Sequence, residues 1–113
     1  MILSERARRA LSRVGFTVTR PGEALGVCKA PYLVVFDGGT TPLNRAGALS
    51  TVGVAAYVPL GRQGELEPML LHVRAALENE GLTASGVAQP EAVDEAFRAH
   101  TQTMEFSVLC AAR

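Results

Sequence analysis

A chain of 113 residues that is 48% apolar and 19% charged, with eleven basic side chains cancelled by eleven acidic ones, has the make-up of one ordinary globular domain. That balance excludes a disordered segment and withholds the positive field on which nonspecific grip on nucleic acid depends. No apolar run approaches the roughly 20 residues of a bilayer-spanning helix, and arginines scattered through the first twenty residues break up any secretory-signal core, so a soluble protein made in the cytoplasm is expected, with no membrane partner.

From Leu3 onward, apolar residues fall at Leu3, Ala7, Ala10, Leu11 and Val14, while Arg6, Arg8, Arg9 and Arg13 take the positions between. This is helical spacing, with Ser4 expected to cap the start and Gly15 to stop the chain. The arginines make a solvated face or a contact surface for something acidic; Arg6, Arg9 and Arg13 are the candidates for the second role. The alternation FTVTR then predicts a short strand ended by Pro21 and Gly22. After an irregular connection, PYLVVF is a β-branched and aromatic run whose Pro31 suits a strand's first position.

A second apolar run, ALSTVGVAAYVPLG, begins about a dozen residues after Phe36. Val52, Val54, Ala56 and Val58 share one face of it; Leu49, Thr51, Gly53, Ala55 and Tyr57 share the other. Both faces are largely apolar, as expected of a strand covered on two sides, within the fold or by a neighbouring subunit. Glu65 to Glu80 predicts the second helix, with Leu66, Met69, Leu70, Val73, Ala76 and Leu77 on one stripe and Gly81 at its end. LTASGVAQ reads as a weak strand and PEAVDEAFRAH as a short helical turn opened by Pro90. In the last strand Met104, Phe106, Val108 and Cys110 alternate with Thr103, Glu105, Ser107 and Leu109, one side buried and one wet.

These elements pack most economically as one α+β domain spanning residues 1–113. Its expected form is a two-layer sandwich of a mostly antiparallel or mixed sheet with both helices on one face and a long loop between two central strands. Adjacent antiparallel strands normally join through about two to five residues, so the glycine- and proline-rich connection after Phe36 is the anomaly.

Its sequence, DGGTTPLN, permits two readings. Glycines beside a carboxylate and a hydroxyl suit a phosphate-cradling loop, and equally a turn. Nucleotide chemistry of that kind calls for a second subdomain and several metal-ligating carboxylates, and neither GxxxxGK[ST] nor GxGxxG occurs. His72 and His100 have no evident nucleophile partner. Cys28 and Cys110 form no CxxC pair and are read as reduced packing residues. Glu91, Asp94 and Glu95 are accounted for by solvation and capping. No catalytic residue, metal site or cofactor is therefore expected, and a binding or assembly role is what remains.

PYLVVFDGG, a long gap, STVGVAAYVPLG, the helix ELEPMLLHVRAALENEGL and the final FRAHTQTMEFSVL together resemble the small tail terminator or tail completion proteins of tailed bacteriophages, over Met1 to Leu109. The resemblance implies a virion structural protein of the tail or neck. Such a protein forms a ring, commonly a hexamer, that caps the finished tail tube, ends polymerisation of the tube protein and joins the tail to the head connector or neck proteins. DNA passes through the lumen of such rings without specific binding. The contact segment then falls on Asp37, Gly38, Gly39, Thr40, Thr41, Pro42, Leu43, Asn44 and Arg45. Two other roles stay open: a neck or head-completion protein of the same virion, and a small α+β ligand-binding module.

Overall fold

The computed structural model describes residues 3–23, 26–44, 47–85 and 91–111. Helix α1 (Leu3–Arg13) is followed by β1 (Val18–Thr19), β2 (Tyr32–Asn44) and β3 (Gly47–Pro59). A turn of 3-10 helix at Gln63–Glu65 leads into α2 (Leu66–Asn79), and β4 (Thr83–Ala84), β5 (Ala92–Asp94) and β6 (Ala99–Ala111) complete the described chain. The sheet runs β1-β2-β3-β6-β4, with β5 also paired to β6. Among the described residues β1 alone lies parallel to its neighbour, and the other pairings are antiparallel. This is the expected α+β sandwich with a mixed sheet and two helices packed against it.

One face of the sheet makes the core. Leu33 and Val35 of β2, Val52, Val54, Ala56 and Val58 of β3 and Phe106 of β6 are fully buried. They pack against Ala7, Ala10 and Leu11 of α1 and against Leu66, Met69, Leu70, Val73 and Leu77 of α2. The stripe read from the sequence of α2 is therefore the stripe that is buried, with Ala76 at its margin. Both helices end alike. Gly15 and Gly81 take positive φ (101° and 91°), which lets the Phe16 N–H donate to the Leu11 carbonyl and the Leu82 N–H to the Leu77 carbonyl, at 3.2 and 3.0 Å.

Several local expectations change. Ser4 is a buried residue inside the first turn of α1 rather than its cap, because the helix already begins at Leu3. Val14 lies beyond the helix and is exposed. The weak strand after α2 shortens to Thr83–Ala84, and its continuation, 86–90, lies outside the described residues. Ala92–Asp94 is paired strand where a helical turn was expected, since the free edge of β6 offers Ala99 to Thr101 as hydrogen-bonding partners. The turn comes after it, where Asp94 Oδ1 accepts from the Phe97 N–H at 3.1 Å.

The largest change concerns the connection after Phe36. Asp37 to Asn44 continue β2, and Gly47 onward belongs to β3, so the long loop is replaced by paired strand and the reversal contracts to Asn44–Gly47. All three of β2, β3 and β6 are 13 residues long, and β6 stays in register with β3 from Pro59↔Ala99 to Gly47↔Ala111.

Candidate functional site: a three-stranded arm

Past Asp37, Val52 and Phe106 the sheet leaves its cover. The core residues of β2 end at Val35, those of β3 at Val52 and those of β6 at Phe106, although each strand runs on. The result is an arm of three strands, 40–44, 47–50 and 108–111, at one end of a molecule measuring 48 × 24 × 24 Å.

Asp37, Gly38 and Gly39 sit where arm meets body, and their chemistry is architectural. Asp37 pairs with Val52 and Thr40 with Ser50, so two residues of β2 oppose the single residue Thr51: a β-bulge. Gly39 supplies the left-handed conformation that this bulge needs, at φ 86°. The Asp37 carboxylate closes it by accepting from the Gly39 N–H at 3.2 Å. The carboxylate and glycines that suited a phosphate cradle are thus engaged in shaping a strand.

Beyond the bulge, the Thr40 and Ser50 hydroxyls are 3.2 Å apart across the ladder. Thr41 pairs with Leu49 and Pro42 with Ala48, and a second irregularity follows at Leu43 before Asn44 meets Gly47. Proline is accommodated because, among the described residues, β2 has a strand neighbour on its outer side at Leu33 and Val34 alone. Leu43 is 54% exposed and Leu109, on the other edge strand, 70%. The side chain of Asn44, and Arg45 altogether, lie outside the described residues.

The proposed partner-facing helix is more occupied than its sequence implied. Arg6 donates to the Glu80 carbonyl at the C-terminal end of α2, and Arg13 meets the Glu80 carboxylate at 2.6 Å. Two of the three arginines therefore join α1 to α2. Arg9 is exposed. Arg8 and Arg20 both reach Glu5, holding its carboxyl below the usual range.

The outer sheet face, opposite the helices, carries Tyr32, Val34 and Phe36 of β2, Tyr57 of β3, and Thr101, Thr103 and Ser107 of β6, with Glu105 as its charged residue among these strands. Tyr32 and Tyr57 stack at 5.0 Å, and Phe97 meets Tyr57 edge-on at 6.0 Å. Burial, and then Cys28, Tyr57 and Asp94, push the Tyr32 hydroxyl up to about 12. Cys28 is a buried free thiol, raised above its usual value by burial; the Cys110 side chain lies outside the described residues. Phe36 lies directly over Gly53, which has no side chain to obstruct it.

Elsewhere, a cleft of about 790 Å³ opens between α2 and β6, floored by Leu66, Leu70 and Met104 and rimmed by Gln63, Glu91 and Gln102. It does not include Asp37 or Thr40. Glu91 accepts from Gln63 Nε2 at 2.6 Å and lies 3.4 Å from His100 Nδ1, while His72 is on the exposed side of α2. Among the described residues no three His, Cys, Asp or Glu side chains gather as a metal-binding group, and no helix is long and apolar enough to cross a membrane.

The arm was anticipated as a contact segment but not as strand. The missed signal was Thr40-Thr41, a β-branched pair following the glycines, which the ladder sets opposite Ser50 and Leu49. Compared with known proteins, the chain matches no family model and no curated protein.

Proposed function

We propose that this chain is a structural assembly subunit of tailed-phage type. It closes with further copies into a ring, commonly a hexamer, that caps a tail tube, stops its growth and presents a second surface to the head connector or neck. The carrying observation is the arm: three strands that continue past the core and, among the described residues, have no helix over them and strand edges open on both sides. A ribbon of that kind, with Leu43 and Leu109 exposed, gains stability by contact with another chain. The role is structural, with no cofactor, and the virion tail or neck is its location. The resemblance to tail terminators supplies the identity of the tube and connector as partners, and the neutral charge suits a lumen that conducts DNA without gripping it.

Mass photometry and sedimentation, on the chain alone and with the tube protein, test this reading. Particles at several times 11.9 kDa are expected, and shortening the arm to end at the Asp37–Val52 pair should leave a folded monomer that neither closes a ring nor joins tails. A protein that stays solitary with and without the tube protein overturns the proposal. The cleft beside α2 favours a second reading, a ligand-binding module. In that case a small molecule would stabilise the monomer against heat, and Met104→Glu would abolish the effect while arm shortening would not.

A further inference from the structure

The arm has two edges, and they match. Within one copy the ladder sets Thr40 level with Ser50 and Val108, Thr41 with Leu49 and Leu109, and Pro42 with Ala48 and Cys110. The open stretch of β2 beyond its bulge and the open stretch of β6 beyond Ser107 therefore lie at the same height on opposite sides of the ribbon. Among the described residues, β4 and Ser85 after it cover β6 at Glu105 to Ser107, and β5 covers it at Ala99 to Thr101. Both β2 and β6 run antiparallel to β3, so the two edges also point the same way.

We propose that the β2 edge of one copy, Thr40 to Asn44, pairs in parallel with the β6 edge, Val108 to Ala111, of a second copy of this chain. The inference rests on the assembly reading above and specifies its contact. A sideways displacement with no slip along the strands brings the edges together, Thr41 opposite Leu109, and covers the more exposed of the arm's leucines. Each copy gives one edge and receives the other, a head-to-tail contact that closes by rotation into a ring.

The two edges are not equivalent, and this selects the partner. β2 carries Pro42, which has no N–H, so two β2 edges set against each other would lose a bond at both prolines, whereas a β2 edge set against β6 loses it once. β6 from Val108 to Ala111 contains neither glycine nor proline, so the two residues whose backbone groups face away from β3, Leu109 and Ala111, each offer both a donor and an acceptor.

Cross-linking decides the matter. Within one copy Thr41 and Leu109 are separated by a whole strand, about 10 Å, beyond the roughly 7 Å that a disulfide spans, so any bond between them joins two molecules. In a Cys28→Ser, Cys110→Ser background, Thr41→Cys with Leu109→Cys should oxidise to a ladder of multimers extending past the dimer, and neither single variant should cross-link. Backbone hydrogen exchange on the unaltered protein is the second measurement: the outward-facing amides of Leu109 and Ala111 should slow on the order of tenfold or more on passing from dilute monomer to oligomer. Dimers from Leu109→Cys alone would show β6 meeting β6 and overturn the proposal. An oligomer that forms without cross-links or protected amides sinks the edge pairing but leaves the ring standing; a monomer at every concentration, with or without tube protein, sinks both.

Discussion

Two stretches of the same three strands differ in everything except hydrogen bonding. In the body, β3 presents Val52, Val54, Ala56 and Val58 to two helices and all four are fully buried. In the arm, the same strand presents Ala48 and Ser50 to no helix among the described residues, although its pairing with β2 and β6 continues to Gly47. Backbone pairing holds the shape in both places, while apolar burial against the helices supplies stability in only one of them. The body can therefore be damaged by substitution in the isolated molecule, and the arm should register damage chiefly when partners are present.

The strongest break in that contrast is Phe106→Ala. It empties a fully buried site at the last covered level of β6, and urea unfolding should report a loss of about 3–5 kcal/mol. Next comes Gly53→Ala on the outer face of the body, where an added Cβ would sit 2.1 Å from Cζ of Phe36. The ring must swing toward solvent, and a loss of about 1–3 kcal/mol is expected. At the junction, Gly39→Ala forces a side chain into positive φ and should cost about 1–2 kcal/mol, with Gly39→Asn milder. In the arm itself, Leu109→Ser should change monomer stability by no more than about 0.5 kcal/mol while weakening assembly. If Leu109→Ser unfolds the monomer as Phe106→Ala does, the division between body and arm is wrong.

Proton linkage sharpens the same comparison. Tyr32 is raised from 10.0 to about 12 and Cys28 above 9.0, chiefly by burial. Both groups keep their protons in the folded state at a pH where the unfolded chain has begun to release them. Their contribution is thus complete below pH 9 and disappears as pH climbs toward about 12. Urea midpoints taken across that window should fall, and Tyr32→Phe should lessen the fall; a profile unaffected by Tyr32→Phe would remove Tyr32 from the account. On the acid side the sign reverses. The Arg62 guanidinium holds Glu65 below its usual 4.5, so that small contribution is present above this value and fades as pH drops.

Where burial dictated structure, the sequence was readable. The stripe of α2 from Leu66 to Leu77 and the alternation of Val52 to Val58 follow from periodicity alone, because a helix or strand against a core must repeat its apolar positions. The arm has no core to impose that repeat. Its Gly38, Gly39 and Pro42 therefore read as loop, although in the fold two of them make a bulge and the third occupies an edge. β5 was hidden for a related reason: Ala92-Val93-Asp94 becomes strand only because β6 is already there to pair with it. The candidate contact segment was found by its anomaly in length, while the flush edges depend on register, which no single strand's sequence contains.

That β3 is flanked by β2 and β6 from one end to the other also has a mechanical meaning. A tip joined to its base by β3 and β6 in unbroken register, with the bulge of β2 beside them, acts as a lever rather than a tether. A push at Leu43 or Leu109 is carried down to the bed on which α1 and α2 rest, so any chain that grasped the tip would take its orientation from the body beneath it.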